Sequence, residues 1–213
     1  MTDRYPGYDV LAKRDGISWN AATRAVVDHR LAVPQEPRFF SAVEWRTLGA
    51  IAARILPQPA GRPAVPLAAY VDQKMFVNHT DGYRFAEMPK QGEAWRRGLA
   101  GFDEAAEAQH GGAFHALAAE AQDDLLRQAE AGKLAGGAWG DMPSKLFFQY
   151  RVIPDIVHAY YAHPTAWNEI GWGGPASPRG YVRMRLDRRD PWEAAEGKPG
   201  HEAEAARENA RVR

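Results

Sequence analysis

The segment that most constrains the fold is KLFFQYRVIPDIVHAYYA, residues 145–162, which is apolar on nearly every side of the helix that it predicts. A helix without a polar face must be central and covered by other elements. Ser144, directly before the segment, is positioned to cap its first turn. Pro154 lies inside it and predicts a kink or a break, because proline lacks a backbone N–H.

Further amphipathic helices are predicted ahead of this segment. Residues 41–57 open with Ser41 and carry Glu44 three residues later, the pattern of a capping box. No alternating strand pattern occurs, so we predict an all-α fold, a compact helical domain with extended N- and C-terminal arms. The predicted apolar faces are Leu48, Ile51, Ala52 and Ile55; Leu67, Tyr70, Val71 and Met75 after a start at Pro66; Trp95, Leu99, Phe102 and Ala106; and Phe114, Leu117, Ala121 and Leu125 in one helix or two short ones.

Changes in composition predict three parts of the chain. Residues 1–37 are an N-terminal arm with one helix, and residues 38–182 are a helical domain that ends in a loop rich in Gly, Pro and aromatic residues. Residues 183–213 are a charged C-terminal arm. Their composition favours a solvated or disordered tail, and the alternative is an arm that orders on a partner through Trp192. The helix of the first arm starts from a Ser18 cap, and its predicted apolar side holds Trp19, Ala22, Val26 and His29.

The charge balance and the missing cysteines exclude several classes of function. Lys and Arg total 27 and Asp and Glu total 27, so no net charge attracts nucleic acid or an anionic membrane. Without cysteine the chain has no disulfide, no thiol nucleophile and no thiolate metal site. No apolar run approaches the roughly 18 residues of a bilayer span. We therefore expect no direct membrane insertion and a cytoplasmic protein, periplasmic only where a partner carries the export signal.

The stretch HPTAWNEIGWGGPASPRGY, residues 163–181, is interrupted too often by Pro and Gly to form a regular helix. It combines large aromatic side chains with an arginine, and these residue types are enriched at the centres of protein interfaces. Its glycines allow a close approach of the backbone. The stretch is either a contact surface or a loop wrapped over its own domain. Its candidate interface or loop-structuring residues are His163, Pro164, Trp167, Glu169, Trp172, Gly173, Gly174, Arg179 and Tyr181.

A metal site is the alternative for this region, with His158, His163 and Glu169 as ligands. Zinc motifs on helices place two histidines four residues apart, and these two are five apart. Pro164 also ends the preceding helix. We therefore expect no metal on this chain and a His163 that caps or packs against the C-terminus of that helix.

No catalytic or cofactor-binding residue is predicted. Ser177 lies between Ala176 and Pro178, without the strand–turn–helix setting of a nucleophile elbow. The sequence GWGG at 171–174 lacks the spacing of a dinucleotide-binding fingerprint. The residues thus favour a contact surface over an active site.

Three stretches, FFSAVEWRTLGAIAARILP, AAYVDQKM and FFQYRVIPDIVHAYYAHPTAWNEIGWGGPASPRGY, resemble the gluconate 2-dehydrogenase subunit 3 family over roughly residues 38–182. Members of this family accompany large flavin-dependent dehydrogenases of the glucose–methanol–choline (GMC) type. The resemblance implies a non-catalytic, chaperone-like small subunit that binds, stabilises and helps to mature its partner. The partner would hold FAD and oxidise a sugar, a sugar acid or a polyol, and a cytochrome c subunit is a further candidate member of the complex.

Under this hypothesis His163 and Glu169 fix the loop internally, while Trp172, Arg179 and Tyr181 shape or contact the interface. Both arms would hold the partner rather than join the core. Two alternatives stay open: a metal-dependent enzyme that uses the two histidines and Glu169, and a stand-alone helical protein that binds a small ligand in a pocket lined by the aromatic helix.

Overall fold

The chain divides into two compact units. The first is formed by residues 1–32 and 161–213, and the second by residues 33–160. Most of the predicted N-terminal arm, the stretch 163–181 and the predicted C-terminal arm belong to the first unit. The computed structural model describes residues 3–60, 63–181, 189–190 and 192–212.

The described residues form helices and no β-strand, which confirms the predicted all-α fold. Trp19 and Ser177 form an isolated parallel β-bridge. Short 3-10 turns cover Val10–Lys13, Phe114–Ala116 and Gly137–Trp139. The α-helices are α1 (Ala21–Leu31), α2 (Ala42–Ile55), α3 (Leu67–Phe76), α4 (Gln91–His110), α5 (Ala119–Glu130), α6 (Ser144–Phe147), α7 (Ile153–Tyr161), α8 (Pro164–Ile170) and α9 (Glu202–Asn209).

The predicted apolar faces form the core of the second unit. On α4 the whole predicted face is buried, and α2 and α3 each leave one member, Ile55 and Tyr70, only half-buried. The stretch from Phe114 is a 3-10 turn followed by α5, so it forms two short elements. Ser41 and Glu44 make both hydrogen bonds of the predicted capping box at the start of α2.

Two glycines of α4 allow aromatic rings to lie against the helix. A Cβ atom on Gly98 would overlap the ring of Phe147, and one on Gly101 would overlap the indole of Trp139. The two rings pack edge-on with centroids 5.7 Å apart. This contact explains why a long helix carries glycine at positions where glycine weakens it.

The aromatic segment is central, and it is interrupted just before Pro154, as predicted. Between α6 and α7, Phe148–Val152 forms a π-helical turn. In a π turn each carbonyl accepts a hydrogen bond from the N–H five residues later, instead of four. This change of pattern accommodates the N–H that proline lacks. The predicted Ser144 cap is wrong, because Pro143 is the N-cap and Ser144 is the first helical residue. The buried hydroxyl of Ser144 has no hydrogen-bond partner within the described ranges.

The two arms contribute to a core in the first unit, contrary to the expectation that they only hold a partner. The expected solvated tail is wrong for the described residues, because α9 is helical and Trp192 is buried. Asn209 accepts from the N–H of Ala195 at 2.7 Å and donates to the carbonyl of Pro6 at 2.9 Å. The average composition of the C-terminal arm does not reveal the few residues that anchor it. The core residues are Tyr8, Val10, Trp19, Val27, Trp167, Trp192, Ala194 and Val212.

The predicted apolar side of α1 is also wrong. Asn20, not Ser18, caps the helix through the N–H of Thr23. Trp19 therefore precedes the helix, and its burial does not continue along a helical face. Val27 is the buried residue of α1, and Ala22, Val26 and His29 are exposed.

Candidate functional site

His163 and Pro164 start helix α8 inside the first unit. The ring Nδ1 of His163 accepts a hydrogen bond from the N–H of Thr165 at 3.2 Å, and Pro164 occupies the first turn, where its missing N–H is not needed. His163 thus caps the start of α8, and residues 164–170 of the loop are helical, contrary to prediction. Burial lowers the pKa of His163, which favours the neutral ring that can accept this bond.

Trp167 connects α8 to its surroundings in the first unit. Its side chain is buried, and its indole Nε1 donates to the carbonyl of Tyr161 at 2.7 Å. The ring of Trp172 packs edge-on against it with centroids 4.9 Å apart, and the Arg30 guanidinium lies 5.7 Å from it. Trp167 is therefore an internal anchor.

The rest of the stretch 163–181 is hydrogen-bonded to the N-terminal arm. Asn168 Oδ1 accepts from the N–H of Val10 at 2.7 Å. The N–H of Ser177 donates to the carbonyl of Ser18, and the N–H of Asn20 donates to the carbonyl of Ser177, both at 2.8 Å. Part of the stretch is thus a loop held on its own unit.

The glycine-rich turn is shaped by two left-handed residues. Gly171 has φ +68°, and a Cβ atom there would overlap the ring of Tyr5. Gly174 has φ +67°, and its carbonyl accepts a hydrogen bond from the hydroxyl of Tyr181. A Cβ atom on Gly173 would lie 2.7 Å from that hydroxyl oxygen. Side chains other than glycine do not fit these backbone positions without strain.

The other side of the loop faces outward. Trp172 is 42% exposed and Tyr181 is 37% exposed. Trp172 borders a shallow groove of about 370 Å³ together with Ala22, Val26 and Pro175. Arg179 is exposed, and its guanidinium lies 4.6 Å from the ring of the buried Trp192. The geometry thus separates an internal group around His163 and Trp167 from an outward aromatic group.

The three candidate metal ligands lie in different places. His158 is on α7 in the second unit, whereas His163 caps α8 and Glu169 is a half-buried residue of α8 in the first unit. Within the described ranges, no group of three or more His, Asp or Glu side chains is arranged to hold a metal ion.

The second unit contains a separate cavity of about 340 Å³ between the loop 78–91 and the π turn. Its lining includes Asp81, whose carboxylate lies 2.7 Å from both Lys74 Nζ and the Arg151 guanidinium. Lys74 also lies 2.7 Å from the buried Asp155, which accepts a hydrogen bond from the indole of Trp95 at 2.7 Å. Burial raises the pKa of Asp81, but the hydrogen bonds from Lys74 and Arg151 outweigh it and lower that pKa overall.

A family model described as gluconate 2-dehydrogenase subunit 3 matches residues 42–174. The chain belongs to this family. Comparisons with curated proteins and with solved structures find no match. Membership in the gluconate 2-dehydrogenase subunit 3 family makes the chain a subunit of a multi-subunit dehydrogenase complex, with an accessory role.

The matched segment contains α2 to α8 and the glycine-rich turn with Gly171, Gly173 and Gly174, and it ends at Gly174. Arg179 and Tyr181 lie outside it, as do both arms. None of the helices in the described parts of this subunit has the length and apolarity needed to cross a bilayer.

The part of the second unit's cavity that the loop 78–91 forms was not predicted from the sequence. Gly82, Pro89 and Gly92 indicate a loop there, but they carry no information about which side chains it brings to the π turn. The available signal was Tyr83 and Phe85, two aromatic residues in a stretch otherwise typical of a polar loop.

Proposed function

We propose that this subunit is a non-catalytic partner of a large FAD-dependent dehydrogenase of the GMC type, which it binds, stabilises and helps to mature. The observation that carries this proposal is the division of the loop 163–181 into a locked internal side and an outward side with Trp172 and Tyr181. Rigid, half-exposed aromatic side chains are the anchors that protein interfaces use, since they lose little entropy on binding.

The proposal assigns the chemistry to the partner, which would hold FAD and oxidise a sugar, a sugar acid or a polyol. In support, the best acid–base candidate of the loop, His163, is already engaged as the cap of α8. A cytochrome c subunit that accepts the electrons is a further proposed member of the complex.

Purification of the tagged chain from its own cells tests the proposal. We expect a co-purifying protein with flavin absorbance bands, in fixed ratio to the subunit, identified by mass spectrometry. Loss of the subunit should lower the amount of that flavoprotein in the cell. Fractionation of the same cells locates the complex, which we propose to be cytoplasmic unless the partner carries an export signal.

A second candidate function is a stand-alone protein that binds a small ligand. Tyr150 and Arg151 of the aromatic segment line the cavity of the second unit, which favours this alternative. A colourless protein that purifies alone, with a small molecule detected by mass spectrometry after denaturation, would support it and overturn the proposal of a flavoprotein partner.

A further inference from the structure

The lining of the cavity in the second unit carries more positive than negative charge. Its lining holds three cations, Arg84, Lys90 and Arg151, and one carboxylate, Asp81. Asp81 is paired with Arg151. Across the part of the chain that the structure describes, Arg84 and Lys90 form no ion pair, and Arg84 donates only to the carbonyl of Met88. Such a lining favours an anionic ligand. Opposite charges speed the association of two molecules and fix the position in which they bind.

The cavity is held in shape before anything binds. Asp81 joins the loop 78–91 to α3 through Lys74 and to the π turn through Arg151. Asn78, at the start of the loop, has φ +50°, a left-handed backbone that non-glycine residues adopt rarely. The π turn is the second irregular backbone element here, and both kinds of irregularity are found frequently at functional sites.

The edge of the cavity is apolar and extends beyond it. Tyr83 is 69% exposed, and Phe85 packs against Tyr150 with ring centroids 4.4 Å apart. Phe76 and Val77, which directly precede the lining residue Asn78, are also largely exposed. A small carboxylate inside the cavity would leave these side chains in water. A polypeptide can cover them and place an acidic side chain at Arg84 and Lys90 at the same time.

We infer that this cavity docks a segment of the dehydrogenase subunit that carries an Asp or Glu side chain next to an apolar residue. The carboxylate binds between Arg84 and Lys90, and the apolar neighbour packs on Tyr83 and Phe85. The inference rests on the proposed function, since it takes the flavoprotein as the source of the segment. It assigns the second unit a contact of its own, in addition to the loop of the first unit.

The test uses the full-length tagged chain, produced in its own cells in place of the native one. The double variant Arg84→Glu with Lys90→Glu reverses the charge of the cavity. Lys133→Glu with Lys145→Glu is the matched control, because both lysines are exposed in the second unit and lie outside the lining. Circular dichroism and thermal unfolding establish that both variants fold. The affinity for the co-purified flavoprotein is then measured at two salt concentrations.

We expect the cavity variant to weaken binding at least about tenfold at the lower salt concentration, and added salt should raise its affinity by screening the new repulsion, while the control binds like the wild type. A photo-crosslinking residue at position 83 should attach to a flavoprotein peptide that contains Asp or Glu. Unchanged affinity in the cavity variant, or a crosslink to a peptide without a carboxylate, overturns the inference and leaves the proposed function intact. Absence of any flavoprotein from the wild-type preparation overturns both.

Discussion

At the scale of single residues, Lys13 is the most unusual group in the first unit. Its side chain is fully buried, and its Nζ has no hydrogen-bond partner among the residues that the structure describes. The ammonium lies 5.6 Å from the ring of Trp19, and it experiences the charges of Glu193 and Asp190. Burial lowers the pKa of Lys13 to about 8, and the two carboxylates offset only part of this effect.

This shift predicts how stability depends on pH. The folded pKa of about 8 lies below the value of 10.5 for an ordinary lysine, so the unfolded state binds more protons between these two values. The free energy of unfolding should therefore rise with pH in this window, by on the order of 2 to 3 kcal/mol. Chemical denaturation at pH 7, 8, 9 and 10 measures the rise.

Lys13→Met is the variant that isolates this effect. It removes a buried charge, so the variant should be more stable than the wild type at pH 7 and the difference should shrink toward pH 10. Burial raises the pKa of Tyr8, so the free energy of unfolding falls as the pH rises above 10. This effect is the same in both proteins and cancels in the comparison. A stability difference that stays constant from pH 7 to pH 10 would contradict the pKa assigned to Lys13.

At the scale of elements, the space around two helical glycines predicts opposite effects for their replacement by alanine. Gly98→Ala places a methyl group into the ring of Phe147, and we expect the free energy of unfolding to fall by about 1–2 kcal/mol. Gly49→Ala on α2 meets no atom within 4 Å, and it should raise that free energy by about 0.5–1 kcal/mol. Denaturant unfolding of both variants tests the pair, and stabilisation by Gly98→Ala would show that the rings can move aside.

The elements also separate what a sequence can predict from what it cannot. The capping box of α2 and the buried face of α4 were predicted correctly, because both depend on residues within a few positions of each other. The break at Pro154 was predicted for the same reason. The roles of Gly98 and Gly101 were not, because each depends on a ring that lies far away in the sequence, Phe147 for Gly98 and Trp139 for Gly101.

The candidate site follows the same rule. The loop 163–181 was identified by its own composition, but its anchoring to Val10 and Ser18 depends on a distant arm. The burial of Trp192 and Val212 likewise depends on partners from the other end of the chain. Arg84 and Lys90 were missed because their importance is that neither forms an ion pair with another described residue, which only the structure reveals.

At the scale of the whole molecule, two tryptophans of the loop distinguish folding from assembly. Trp167 is buried and hydrogen-bonded, so Trp167→Ala should destabilise the isolated subunit by about 3 kcal/mol or more. Trp172 contacts Trp167 on one side and faces outward on the other. In the isolated subunit, its replacement removes a partly exposed contact and should cost only about 1 kcal/mol.

In the complex with the flavoprotein, we expect Trp172→Ala to weaken binding more than it weakens the fold of the free subunit. If the outward face of the loop is an interface, the same replacement should weaken binding about thirtyfold, which corresponds to about 2 kcal/mol. Thermal unfolding of the free subunit and a binding titration with the purified flavoprotein measure the two effects separately, with Trp167→Ala as the control for damage to the fold. A Trp172→Ala subunit that loses stability but binds its partner with unchanged affinity would make Trp172 a structural residue, and the proposed anchor of the interface would be overturned.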